Sequence, residues 1–298
     1  MSKSPGIGSR IEQLLPDRIR KRYVRKFLLV VVIVTAFILV VGVLAQSSVG
    51  AQLTDMRTQQ LETSVQQTAD SMQQWDERQK DTASMIANHY MTTQYEADGI
   101  GNMIGQEATD RAEIAAIHYV NVADQTIVRS TQSGLENVTL AERNLTWKRG
   151  GIAPAGSEQE HGDRTFYTVD GETRLAYASR TPGFDTGMVL IYDVHDRAGA
   201  LRASIENGST TVVDESGTVL FDTDENATLS AHAGDNETAS LIASAVNGTV
   251  GATQVDDELI GYAPVNGTSW VVLEKAPAST AFALRDSVTT ELITLIGA

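Results

Sequence analysis

The longest apolar run in the sequence covers residues 27–45, FLLVVVIVTAFILVVGVLA, and it contains no charged residue. Fifteen of its 19 residues are Leu, Ile, Val or Phe. A helix rises about 1.5 Å per residue, so this run would span roughly 28 Å, which is close to the hydrocarbon thickness of a bilayer. The pattern therefore predicts a transmembrane helix over residues 27–45.

Charged residues are distributed unequally on the two sides of this run. Residues 1–26 hold eight Lys and Arg against two acidic residues, and basic flanks of a first membrane helix stay in the cytoplasm. We therefore predict a cytoplasmic basic tail over residues 1–26 and an extracellular position for residues 46–290, in a cell-membrane protein with a single full span. The competing interpretation is a signal peptide cleaved after Ala45, although the apolar run exceeds the roughly 7–15 residues of an ordinary signal core.

A helical pattern follows the apolar run. Residues 46 to 90 contain no proline, and they predict one long stalk helix within a segment, 46–112, that includes the connection to the next domain. Apolar and small polar positions repeat at spacings of four and three, which is the pattern of a coiled-coil seam; they are Leu61, Val65, Thr68, Met72, Trp75, Gln79, Thr82, Ile86 and His89. This seam predicts a homodimer of two stalk helices. The alternative is that the helix packs on its own domain.

Beyond residue 113 the apolar positions alternate with a period of two, which is typical of strands. Residues 117–122 and 126–130 form a hairpin signal, and a Gly-rich polar connection over 132–163 follows, with one short helix before Trp147. Strands are predicted over 164–169, 173–180 and 187–193, and a helix over 195–205. We assign residues 113–205 to a first, membrane-distal module.

The same order of elements then recurs, which predicts a second, membrane-proximal module over residues 206–276. Its hairpin covers 211–221, a short helix covers 237–246, and strand signals follow at 255–263 and 270–274. The predicted fold class is therefore α+β, with two tandem modules that each hold a five-stranded antiparallel sheet with one helical face. Residues 277–298 are predicted as a return helix that enters a truncated second transmembrane helix.

Composition excludes several classes of function. The chain has a formal net charge of −15, and beyond residue 26 it holds 15 basic and 36 acidic residues, which argues against nucleic acid as a partner. It has no Cys, so it offers neither a disulfide framework nor a thiol nucleophile. Its five His residues lack the spacing of metal ligands. The sequence predicts no catalytic residue, no metal, no cofactor and no enzyme activity.

Asparagine placement agrees with an extracellular location. Seven N-x-S/T sequons occur, all beyond the apolar run, and they predict glycosylation at Asn137, Asn144, Asn207, Asn226, Asn236, Asn247 and Asn266. The alternative is that a Thr- and Gly-rich loop composition produces sequons by chance.

A membrane helix, a long stalk helix, two small sheets in tandem and a returning helix together resemble the double Cache extracellular sensor domain. Residues 213–220, VDESGTVL, resemble the strand-turn-strand signature of that family, and residues 16–27, PDRIRKRYVRKF, are similar to the entry segment of transducers from halophilic archaea. The resemblance implies the ligand-sensing part of a methyl-accepting chemotaxis transducer or of a sensor histidine kinase.

The resemblance also implies a small-molecule site in the first module, built from Arg143, Trp147, Tyr167, Tyr177 and Asp193. An arginine can form paired hydrogen bonds with a carboxylate, an aspartate can pair with an amine, and aromatic rings can wall the pocket. The expected ligand is an amino acid or another carboxylate. Alternatives remain open: core packing for Trp147 and both tyrosines, and a helix cap for Asp193.

Two functions are compatible with these patterns. The first is the extracellular sensory portion of a membrane signal transducer. The second is a membrane-anchored solute-binding protein that delivers its ligand to a transporter.

Overall fold

The computed structural model describes residues 17–92, 97–139, 163–169, 171–181, 184–232 and 236–283. Residues 144 and 147, and the predicted transmembrane segment at the C-terminus, lie outside these ranges. The chain divides into two compact units, Met1–Met56 with Phe282–Ala298, and Arg57–Ala281. The second unit contains both sheets and is the part that bears on function.

Helices precede the sheets. Helix α1 covers Asp17–Thr92 and helix α2 covers Ala97–Asp110, so the predicted stalk helix is present and α1 also includes the apolar run. Large side chains in that run are exposed, namely those of Phe27, Leu28, Leu29, Val30, Val31, Val32, Ile33, Val34 and Phe37. Over the residues described, no helix has an apolar stretch long enough to cross a membrane.

The first sheet has six antiparallel strands in the order β3-β2-β1-β6-β5-β4. These strands are β1 Ile114–Asn121, β2 Thr126–Ser130, β3 Val138–Thr139, β4 Asp163–Val169, β5 Glu172–Arg180 and β6 Thr186–Asp193. Five of them match predicted strands. The sixth, β3, is a two-residue edge strand in the segment that was expected to be loop, where it pairs with Thr126 and Ile127.

A short helix, α3 Val194–Ala198, links the first sheet to the second. The second sheet has five antiparallel strands in the order β8-β7-β11-β10-β9. Its elements are β7 Ser209–Val213, β8 Val219–Phe221, a 3-10 turn Glu225–Ala227, α4 Asn236–Val246, β9 Gly251–Val255, β10 Glu258–Val265, β11 Trp270–Pro277 and α5 Ala278–Ala281. The predicted α+β class with two antiparallel sheets is therefore confirmed.

The four-three seam of α1 packs inside the chain. Its apolar members are at most 5 % exposed, namely Leu61, Val65, Met72, Trp75 and Ile86. Four of these five belong to one core cluster with residues of both sheets, while Leu61 lies against Gly261 of β10. The prediction that this seam contacts a second copy is wrong, because both sheets already cover it. A periodic apolar stripe is equally suited to a sheet and to a partner helix.

Polar contacts also fix α1 on the second sheet. Glu274 of β11 is fully buried. Its carboxylate accepts hydrogen bonds from the Ser64 hydroxyl at 2.9 Å and from the Ser204 hydroxyl at 2.6 Å, and the Ser204 backbone N–H donates to it as well. Gly261 allows α1 to approach β10 closely, since a Cβ there would lie 2.9 Å from Leu61 Cγ. These contacts hold helix and sheet at a defined separation.

Candidate functional site

The first sheet has two buried faces, because successive side chains of a strand point to opposite sides. The inner face joins the core that contains α1, and it includes Leu175, Tyr177, Leu190 and Tyr192. The outer face forms a separate cluster with several small side chains: Ala116, Val120, Ile127, Tyr167, Ala176, Ala178, Val189 and Ile191. Small residues leave room above a sheet, so the outer face is the candidate ligand face.

Three polar side chains form a row across one end of this outer face. Tyr167 of β4 is directly opposite Arg174 of β5, which is directly opposite Asp193 of β6. Two predicted site residues, Tyr167 and Asp193, are therefore brought together. Arg174 lies between them, and sequence reasoning missed it. The sequence offers one indication of Arg174, which is its position at the start of the strand predicted over residues 173–180.

Asp193 uses both carboxylate oxygens within the protein. Oδ1 accepts hydrogen bonds from the backbone N–H of His195 at 2.8 Å and of Asp196 at 3.4 Å, so Asp193 is the N-cap of α3. Oδ2 accepts from Arg174 Nη1, and Arg174 Nη2 also donates to Glu172. Asp193 therefore caps a helix, which is the alternative that the sequence left open for it. The arginine between these two acids is the side chain of the row that can turn toward a ligand carboxylate.

A small cavity of about 70 Å³ lies beside this row. Its lining includes the β4–β5 turn, Asp193 and His195, together with Thr228 of the second module. One water needs roughly 10–15 Å³ on this scale, so the cavity has room for a few water molecules.

Tyr167 and His118 are two buried polar side chains of the outer face. Tyr167 is 5 % exposed; burial raises the pKa of its phenol, and the positive charge of Arg174 acts in the opposite direction. His118 lies between Ala116 and Val120 on β1, and its Nδ1 is 2.9 Å from the Ser130 hydroxyl. Burial lowers the pKa of His118 to about 4, so its imidazole is neutral at neutral pH. Sequence reasoning did not assign His118 to the site.

Tyr177 lies on the inner face and is separated from Tyr167 by the sheet. Its hydroxyl donates to Asp76 Oδ1 of α1 at 2.8 Å, and its ring packs edge-on against Trp75 at 6.1 Å. Burial and the nearby Asp76 carboxylate raise the pKa of the Tyr177 phenol. Tyr177 is therefore packed in the core, which is the alternative that the sequence left open for it.

The remaining predicted residues divide between the described and undescribed parts of the chain. Arg143 and Trp147 lie outside the described residues, as does Asn144. The other six sequon asparagines are all exposed: Asn137, Asn207, Asn226, Asn236, Asn247 and Asn266. Exposure makes their side chains accessible to a glycosyltransferase. Within the described ranges, no three His, Asp or Glu side chains converge as metal ligands would.

Comparison with known proteins adds relatives along almost the whole chain. No protein-family model matches the sequence. The transducer protein Htr18 of Halobacterium salinarum is 30 % identical over 286 residues, covering 95 % of this chain and 34 % of the relative. This chain therefore has homologues among archaeal transducers. A second homologue, transducer protein Htr6 of the same organism, is 24 % identical over a match that covers 92 % of this chain and 35 % of Htr6. The chain thus spans about a third of these relatives.

Solved structures show the same fold. The periplasmic sensory domain of the Campylobacter jejuni chemoreceptor Tlp1 has a TM-score of 0.55 at 15 % identity, covering 77 % of this chain and 98 % of that one. The ligand-binding domain of the Pseudomonas fluorescens chemoreceptor CtaA, in complex with L-isoleucine, has a TM-score of 0.54 at 15 % identity, covering 80 % and 98 %. The resemblance to Cache-type sensor domains, expected from the sequence, is confirmed for the fold.

Proposed function

We propose that this chain is the extracellular ligand-sensing portion of a membrane-anchored signal transducer of the chemotaxis type. The observation that carries the proposal is homology to halobacterial transducers over 95 % of the chain, combined with the fold of chemoreceptor sensor domains. A sensor of this kind binds its ligand and carries out no chemistry, which agrees with the predicted absence of catalytic residues.

The anchor of this sensor is the apolar run of residues 27–45, with the N-terminus in the cytoplasm and residues 46–290 outside. The uncharged sequence, the eight basic residues before it and the exposed apolar side chains of residues 27–34 support this topology. Protease added to intact cells should then cut the chain beyond Ala45. Full protection in intact cells, with cleavage only after lysis, would contradict the topology and the proposed glycosylation.

The ligand site of the sensor lies on the outer face of the first sheet. Arg174 and Tyr167 contribute from the sheet, Asp193 orients Arg174, and Arg143 and Trp147 contribute from the connection between β3 and β4. The ligand is a small amino acid or another carboxylate: the similar CtaA domain was solved with L-isoleucine, and a guanidinium pairs well with a carboxylate. Loss of such a charge-assisted hydrogen bond costs roughly 1.5–3 kcal/mol, or about ten- to a hundredfold in affinity.

A thermal-unfolding screen tests this function. The full chain in detergent is heated with a panel of amino acids and short carboxylates that includes L-isoleucine, and at least one compound is expected to raise the unfolding temperature. Arg174→Gln should remove that shift, whereas Tyr262→Phe in the second module should retain it. Equal stabilisation of both variants would contradict the assignment of the ligand to the first module.

The sensor is proposed to act as a homodimer through the exposed face of α1, since the buried face is covered by the sheets. The exposed face is rich in glutamine and includes Gln60, Gln67 and Gln74. Spacings of seven place these residues on one side of the helix, so two copies can align along it.

A further inference from the structure

Strand β4 has two faces with different neighbours. Tyr167 points to the outer face of the first sheet, where it belongs to the cluster of the candidate ligand face. Arg164 and Phe166 point the other way, because side chains of a strand alternate, and both have contacts outside the first sheet. The same seven-residue strand therefore touches the candidate site on one side and distant parts of the chain on the other.

Arg164 joins three elements. Its Nη1 donates to both carboxylate oxygens of Asp76 on α1, at 3.1 Å and 2.8 Å. Its guanidinium also lies over the ring of Trp270 in the second sheet, 4.6 Å from the ring centroid. Charge-assisted hydrogen bonds and cation–π contacts are both directional. A shift of Arg164 therefore changes its contacts with α1 and with the second sheet together.

Phe166 strengthens the connection to the second sheet. Its ring lies 5.5 Å from Phe221 of β8 and 5.9 Å from Trp270 of β11, both edge-on. Phe221 and Trp270 are themselves 5.4 Å apart, and Trp75 of α1 contacts Phe221 at 5.9 Å. Close-packed aromatic cores do not deform continuously, so displacement of one ring requires the others to repack.

Trp270 is well placed to pass such a displacement on. It is the first residue of β11, which hydrogen-bonds to β7 on one side and β10 on the other. The same strand carries Glu274, whose carboxylate accepts from Ser64 of α1. Strand β11 thus contacts β4 through Trp270 and α1 through Glu274.

We propose that β4 is the strand that couples the candidate ligand face to the second module and to α1, with Arg164 as the positioning residue. The proposal rests on the proposed sensing function, because it states how occupancy of the first module reaches the rest of the sensor. Movement of Tyr167 shifts the backbone of β4, and the shift displaces Arg164 and Phe166 from Asp76, Trp270 and Phe221. Energetic coupling of this kind needs continuous packing between sites, which these contacts supply.

Amide hydrogen exchange on the full chain in detergent tests the coupling without any ligand. Arg164→Gln is compared with Arg174→Gln, a matched change on the neighbouring strand at the opposite face. Arg164→Gln is expected to raise exchange at least tenfold in β11 and in α1 around Asp76, while β1 and β2 keep the parent rates. Arg174→Gln should affect only β5, β6 and the start of α3. Arg164→Lys, which keeps the charge without the forked geometry, provides a milder second variant.

A second perturbation separates coupling from simple stabilisation. Tyr167→Leu on the ligand face should alter exchange in β11 of the parent but not in the Arg164→Gln background, and Ile127→Val on the same face should leave β11 unchanged in both. Three results would overturn the proposal. The first is a uniform rise in the exchange rate over all strands, and the second is an identical exchange pattern for the two arginine variants. The third is an effect of Tyr167→Leu on β11 that persists in the Arg164→Gln background. Because no ligand is used, these outcomes are separate from failure of the thermal screen, which tests the sensing function itself.

Discussion

Asp76 is a buried charge with three polar partners, and its replacement by asparagine gives a quantitative prediction. The residue is 1 % exposed. Its carboxylate accepts from Arg164 and from the Tyr177 hydroxyl, and Lys80 Nζ lies 2.7 Å from Oδ2. Asparagine keeps the shape of the side chain, but it removes the negative charge and directs an N–H₂ group at one of these donors.

The expected cost follows from the burial of the partners. Removing one member of a buried ion pair destabilises a protein by roughly 3–5 kcal/mol, because the other charge stays buried without a counter-ion. The Arg164 side chain is 18 % exposed and that of Lys80 is 24 % exposed, so solvent partly screens both. We therefore expect Asp76→Asn to cost about 3 kcal/mol, at the lower end of that range. The double variant Asp76→Asn/Arg164→Gln should be more stable than additivity predicts, because the orphaned charge is also removed.

Urea unfolding of the full chain in detergent, followed by tryptophan fluorescence, measures this cost, since Trp75 is adjacent to the substituted residue. The matched control is Asp70→Asn, an exposed aspartate on the same helix, which should stay within about 0.5 kcal/mol of the parent. A cost below about 1 kcal/mol for Asp76→Asn would refute the reasoning, as would strict additivity in the double variant.

Three further outcomes are expected. Burial lowers the pKa of His118 from 6.5 in the unfolded chain to about 4 in the folded one. The unfolded state therefore binds the extra proton, and the free energy of unfolding falls by roughly 3 kcal/mol as the pH drops from 6.5 to 4. His118→Gln should remove that part of the pH dependence in acid-unfolding titrations, and an unchanged slope would refute this role of His118. Gly261→Ala adds a Cβ that would lie 2.9 Å from Leu61 Cγ and should cost about 1–3 kcal/mol in the same urea assay, whereas no loss would mean that α1 moves freely on the second sheet. Cysteine at Gln67 should crosslink two copies under mild oxidation, and cysteine at Met72 should not. Crosslinking at Met72 but not at Gln67 would show that the copies meet through the apolar seam of α1 and not through its glutamine-rich face.

Apolar patterning predicted most elements of the fold. Alternation located the central strands of both sheets, because those strands are buried on at least one face and their apolar residues recur with a period of two. The repeat of hairpin, helix and strands then indicated two sheets. The helix predicted over residues 195–205 is shorter, Val194–Ala198, because Gly199 forms the C-cap and glycine is unfavourable within a helix.

The site was harder to predict, since it depends on the register between strands. Tyr167 and Tyr177 are both buried strand residues, and their own strands look equivalent in sequence. Pairing places Tyr167 opposite Arg174 but Tyr177 opposite Arg164, which puts the two tyrosines on different faces. A shift of one residue in this register would instead have put both tyrosines on the same face. The stalk seam was misassigned for a related reason: periodicity identifies the buried side of a helix without identifying what buries it.

Methyl-resolved NMR of the full chain tests most directly whether the outer face of the first sheet is the sensing surface. The isoleucine and valine methyls of Ile127, Val189 and Ile191 report on that face, and those of Ile242 and Val271 report on the second module. Titration with a compound that raises the unfolding temperature should shift the first group at the lowest concentrations, with β11 responding only as the site fills. First shifts confined to Ile242 and Val271, with the outer-face methyls unchanged at saturation, would contradict the account.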